Sequence, residues 1–167
     1  PVSPSLTLRL NPAIAVFRAP GLAFVGWTQI PQQSAGWIAI GRPQPYLYSS
    51  NRSISPPGRS DGGPIFRYRI DFTALEHGQV RLTLLDRFPL RDEEGAPVVL
   101  DYMQGGVFSD RGCLYLVNGY DQDFDEDDGG ISVFDGTTGK RVARSGSGTG
   151  PFNYEFHPGF STYEEPE

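Results

Sequence analysis

A chain of 167 residues is the size of one ordinary domain and leaves no room for two large ones. Glycine (21) and proline (15) together exceed a fifth of it, which calls for frequent turns and argues against long helices. Hydrophobic residues at 38% and aromatics at 13% argue against a disordered chain. No stretch approaches the ~18 uncharged apolar residues of a membrane-spanning helix. The net charge of −6 is unevenly spread: residues 1–100 carry ten arginines against seven acids, and residues 101–167 carry four basic against thirteen acidic residues. This balance speaks against a nucleic acid or an anionic membrane as partner, since both need clustered positive charge, and it suits a hard cation. The chain opens on Pro1 without a start methionine or signal peptide, so a mature or trimmed product is expected.

Short apolar or aromatic runs, bounded by Gly, Pro, Asn and Asp, predict strands along the whole chain. In order they are Ala13–Arg18, Leu22–Gln29, Trp37–Gly41, Tyr46–Ser50, Ile65–Phe72, Gln79–Phe88, Val98–Tyr102, Gly106–Ser109, Cys113–Asn118, Ile131–Phe134 and Arg141–Arg144. The period-two alternation of Phe66-Arg67-Tyr68-Arg69-Ile70 marks a strand with one solvated face. A short helix fits Thr73–Glu76, turned back by His77-Gly78. The fold class is therefore all-β. Cys113 stands alone in an apolar run, which excludes an intrachain disulfide and fits a small buried hydrophobe in a strand. Trp27 and Trp37 flank the turn Pro31–Gly36, where packing within a hairpin is their expected role.

An internal repeat organises these strands. Leu47-Tyr48-Ser49-Ser50-Asn51 is echoed 67 residues later by Leu114-Tyr115-Leu116-Val117-Asn118. Each is followed by a polar loop, a Gly-Gly pair (Gly62-Gly63, Gly129-Gly130), an apolar strand and a turn that ends in glycine. Four short antiparallel strands joined by hairpins are the unit of a β-propeller blade, and a β-sandwich is the alternative built from the same hairpins. The expected organisation is one β domain over 1–167, with a first blade-like unit over about 20–95, a second over about 98–150 and the start of a further unit at 151–167.

The hairpin sequence Phe134-Asp135-Gly136-Thr137-Thr138-Gly139-Lys140 resembles the turn between the outer strands of many propellers. Through it the chain is similar to secreted microbial β-propeller proteins of the NHL, phytase-like and gluconolactonase-like type, well over 101–145 and loosely over 37–90. The resemblance implies a secreted or periplasmic protein. It also implies that another chain or further copies complete the ring, because two blades cannot close one. In the phytase-like and gluconolactonase-like families a Pro-Glu-Gly supplies a carboxylate to a central metal. Glu167 would be that residue, although the sequence ends before the glycine.

Two constellations carry candidate chemistry. Asp121, Asp123, Asp125 and Asp127 alternate along one loop and can converge on a Ca²⁺ ion, which takes six to eight oxygens. The loop departs from the EF-hand pattern, with Glu126 at the sixth position and Ser132 at the twelfth, so a solvated acidic hairpin tip is the competing reading. The second constellation, in 152–165, offers Asn153, Tyr154, His157, Tyr163 and Glu165 as a ligand-binding set: aromatic faces for sugar C–H patches, and polar groups for hydroxyls. Aromatics that plug the core between units are the alternative there. Were this stretch a strand, the neighbours Glu164 and Glu165 would point to opposite faces and make a poor hydrolase pair. Gly146–Gly150 lacks the lysine of a phosphate loop, no G-x-S-x-G elbow is present, and Asn51-Arg52-Ser53 fits a glycosylation acceptor. These features point to a binding module that presents loops to a carbohydrate or protein partner, possible calcium stabilisation included. The alternatives are a metal-assisted hydrolase or lactonase using carboxylates such as Glu165 or Glu167, and an assembly scaffold pairing through open sheet edges, with self-association.

Overall fold

The computed structural model describes residues 11–54, 64–119 and 130–144. Among them, antiparallel strands dominate, with one short helix. A hairpin of β1 (Ala13–Arg18) and β2 (Ala23–Gln29) comes first. It is followed by a four-stranded sheet of β3 (Trp37–Ile40), β4 (Leu47–Ser50), β5 (Ile65–Ile70) and β6 (Leu82–Phe88). A second four-stranded sheet contains β7 (Met103–Phe108), β8 (Cys113–Asn118), β9 (Gly130–Asp135) and β10 (Arg141–Arg144). Both sheets are meanders, each strand pairing with the next in sequence. The 67-residue repeat falls on the same element of each, since β4 and β8 are both second strands.

Local chemistry sets the turns. Between β5 and β6 lies α1 (Phe72–Glu76), whose first turn is capped by Asp71: its Oδ1 accepts from the Ala74 N–H at 2.9 Å. Gly78, at φ +76, reverses the chain after it. The β9–β10 turn is held by Asp135, whose Oδ1 accepts from the Thr137 and Thr138 N–H groups at 2.8 and 2.7 Å. Those two donors hold the Asp135 carboxyl below the usual carboxylate range, the Thr138 amide contributing most. At the end of β4, buried Asn51 accepts from the Gln33 and Ser34 N–H groups and so ties down the loop before β3.

Side-chain alternation divides the interior in two. Trp37, Tyr48, Ile65 and Phe88 leave one face of the first sheet and meet Leu114, Leu116 and Phe134 of the second. The close approach of β3 to β7 depends on Gly106, where any Cβ would collide with the Trp37 ring. The Trp37 Nε1–H donates to Ser50 Oγ at 2.7 Å, which satisfies the one polar atom of its buried side chain. From the opposite face, Leu47, Phe66 and Tyr68 meet Ile14 and Ile30 on and beside the hairpin. The first sheet is thus covered on both faces, by four strands on one and by two on the other.

Two expectations need correction. Val98–Tyr102 does not form a strand: Leu100 makes an isolated bridge to Ile54, and Tyr102 turns into the left-handed region at φ +52. Val98 and Leu100 are apolar because this connection packs into the core shared by the two sheets, not because it pairs in a ladder. Trp27 is the second. Trp37 packs as expected, but Trp27 stays 59% exposed on the outer side of the hairpin. Cys113 is buried in β8, as expected.

Candidate binding surface

The hairpin covers the first sheet incompletely. Ile14 and Val16, with Gly26 and Thr28 opposite them, alternate with Ala15 and Trp27 on the other face of the ribbon. Gly26 lets β2 settle against Gly78 and Val80, since a Cβ there would meet both. Beside β1 a groove of about 370 Å³ remains open. Its floor is Ile38 and Ile40 of β3 with Leu47 of β4, and its far end is closed by Ile70, Phe72 and Leu82. Asp71 and Arg81 are the charged residues on its wall, and the rest is almost wholly apolar.

Four consecutive residues of β1, Ile14 to Phe17, line this groove, and β2 contributes none. A β-bulge between Val16 and Phe17 interrupts the side-chain alternation at that end of the strand. Ile38 and Ile40 are about half exposed, and Phe17, Leu22, Phe24 and Trp27 extend the apolar surface along the hairpin. Phe17 and Phe24 pack edge to face across the ribbon, with ring centroids 5.5 Å apart. A patch of this kind is a common mark of an interaction site.

The electrostatics near the surface are structural. The Tyr68 hydroxyl donates to Gln32 Oε1 at 3.0 Å within the hairpin-side core, and burial pushes its pKa up to about 12. Arg67 forms a bidentate pair with Asp86 across β5 and β6 and lies 5.4 Å from the centre of the Tyr46 ring. Arg141 of β10 pairs with Glu93 of the connection between the sheets, and its guanidinium holds the Glu93 carboxyl below its ordinary range.

The sequence-derived metal set (Asp121, Asp123, Asp125, Asp127) and ligand set (Asn153, Tyr154, His157, Tyr163, Glu165) lie outside the described residues, as does Glu167. Sequence reasoning missed the groove. Its signal was the unbroken apolar run Trp37–Ile40, which has apolar side chains on both strand faces and so needs cover on both. No family model matches the chain, and neither a curated protein nor a solved structure matches it at a level that establishes a relationship.

Proposed function

We propose that this chain is part of a secreted β-propeller and acts as a binding module for a polypeptide partner. The propeller reading is supported by three antiparallel units stacked in series: the hairpin, the first meander and the second meander, with the same strand repeated at the same place in both meanders. One observation carries the binding reading: the apolar groove and its aromatic flank, Phe17, Phe24 and Trp27. Carbohydrate sites need many polar groups for hydroxyls, whereas this lining is nearly all hydrocarbon, so a protein is the better-matched partner.

A photo-crosslinking phenylalanine analogue placed at Phe24 or Trp27, and at exposed Val142 of β10 as control, tests this in the native secretion host. One discrete adduct from the hairpin positions, absent at the control, is the expected result. No adduct, or equal labelling at Val142, overturns the reading. Calcium stabilisation belongs to the same proposal through Asp121, Asp123, Asp125 and Asp127. Metal that binds the folded state raises the melting midpoint by mass action. A rise of several degrees in millimolar calcium, lost in a D123N/D125N variant, is expected, and identical midpoints with calcium and with chelator dismiss it.

A further inference from the structure

The tripeptide Asn51-Arg52-Ser53 has the pattern of an N-glycan acceptor, and no other Asn-x-Ser/Thr occurs in the chain. Such acceptors belong on the surface, because the attached glycan is bulky and hydrated. This one lies inside. Asn51, at the end of β4, is 5% exposed, and its Oδ1 accepts from the Gln33 and Ser34 N–H groups at 3.2 and 3.4 Å. Its carbonyl accepts from Ser50 Oγ at 2.8 Å. Arg52 is held by its backbone on both sides. Its N–H donates to Ser34 Oγ at 2.8 Å, and its carbonyl accepts from the N–H of Met103, the first residue of β7, at 2.7 Å. Just beyond the tripeptide, Ile54 bridges Leu100. The acceptor is thus clasped between the loop before β3 and the entry to the second sheet. The internal repeat supplies a control: Asn118, the matching residue at the end of β8, is 2% exposed, but Gly119 and Tyr120 follow it, so it is no acceptor. Buried asparagine at both places marks a requirement of the fold, and the acceptor pattern arises in the first unit alone.

We propose that Asn51 is an N-glycan acceptor only before the chain folds, and that glycan and fold exclude each other. Transfer joins the Asn51 side-chain nitrogen to the anomeric carbon of a sugar carried on a lipid diphosphate. The bond from that carbon to the diphosphate oxygen breaks, the lipid diphosphate leaves, and the amide gives up one proton to water. In the folded chain the side chain is almost out of water and the Arg52 backbone is bound on both sides, so transfer has no access. In the unfolded chain both are free. The product must then seat a sugar ring where close packing leaves no room for one. A modified chain cannot close the loop before β3 onto Asn51 or bring Met103 to Arg52. The amide keeps its Oδ1 after transfer, so the block is one of space and not of a lost hydrogen-bond acceptor. An export route that suits the secreted reading therefore either lacks N-glycan transfer or lets the chain fold ahead of it.

The test uses the full chain, sent with a signal peptide into a secretory pathway that N-glycosylates, with and without an inhibitor of lipid-linked donor synthesis. Without inhibitor, the chain is expected to carry a glycan at Asn51, to show no cooperative melting transition, and to be cut by protease about tenfold faster or more, since cleavage tracks the open population. With inhibitor, and equally in Ser53→Ala, it is expected to melt cooperatively. An amidase that releases the glycan leaves aspartate at position 51, which keeps an acceptor for the Gln33 and Ser34 N–H groups, so the treated chain is expected to regain its transition. Folded, unmodified chain incubated with the transferase and the lipid-linked donor is expected to stay unmodified. A glycosylated form that melts like the unmodified one overturns the proposal, as does transfer to the folded chain. Absence of any glycan in the untreated pathway overturns it too, because Asn51 is then no acceptor. So does a chain that fails to melt cooperatively even with inhibitor, since the glycan is then not the cause.

Discussion

The two faces of the first sheet use the same alternating strands to different ends. On the side of the second sheet, Leu114, Leu116 and Phe134 are entirely out of water, and Trp37, Ile65 and Phe88 interlock with them. On the hairpin side, Ile30 and Tyr68 are as deeply buried, yet Ile38 and Ile40 on the same face remain half exposed. The difference lies in the width of the cover, not in the residues beneath it. A face fully matched by a four-stranded neighbour becomes core, and a face matched by a two-stranded ribbon becomes part core and part groove.

The sharpest way to break that contrast is at Phe134. Phe134→Ala empties a fully buried site between the sheets and is expected to cost about 3–5 kcal/mol in denaturant-induced unfolding. A cost below ~1 kcal/mol would mean that the two sheets do not share one core. On the hairpin side the expected loss is smaller. Tyr68→Phe leaves the Gln32 Oε1 buried without its donor and is expected to cost about 1–3 kcal/mol. The same residue carries a pH signature. Its folded pKa of about 12 lies above the unfolded value of about 10, so the stability it contributes is intact below pH ~10 and falls between about 10 and 12. Unfolding curves across that range should slope downward in the wild type and less steeply in Tyr68→Phe.

The Glu93–Arg141 pair ties the inter-sheet connection to β10, but Glu93 is half exposed, so solvent screening keeps its worth modest. Glu93→Gln is expected to cost about 0.5–1 kcal/mol at neutral pH. Because the folded carboxyl has a depressed pKa, that difference is present above the unfolded value of about 4.3 and closes as the pH falls below it. Parallel melts at pH 7 and pH 3 check the sign. The smallest effect belongs to the groove floor: Ile38→Ser should change stability by no more than ~0.5 kcal/mol, since its side chain is half in water already. A large loss there would mean that the groove is closed in solution and that the two faces are alike.

Most strands were legible because short apolar runs between Gly, Pro, Asn and Asp leave few alternatives. Ala13–Arg18, Cys113–Asn118 and Arg141–Arg144 form as expected from sequence, and Asp71 and Gly78 bracket the short helix. Val98–Tyr102 was not legible, because apolarity reports burial and not hydrogen-bond partnership, and a connection threaded through a core has the composition of a strand. The groove was hidden for a related reason. Ile38 and Ile40 show in sequence that a second face seeks cover, but how far the cover reaches depends on how Gly26 seats the ribbon against Gly78 and Val80. Trp27 was placed in packing by its residue type, while the twist and register of the hairpin turn it outward.

The connection between the two sheets also bears on the order in which the molecule is made. Arg91 donates its N–H to the Gly139 carbonyl and accepts from the Arg141 N–H, so this segment straps the start of β10. Within each meander every strand-to-strand ladder joins neighbours in sequence and can form as the chain emerges. The strap cannot. At about 5–20 residues per second, Arg91 waits several seconds on the ribosome for partners about fifty residues downstream. During that interval Leu90, Val98 and Leu100 have no second sheet to cover them. Translation paused short of Lys140 would therefore prolong the exposure of a connection whose apolar side chains are meant for the interior, and the nascent chain would draw on chaperones most heavily at that point.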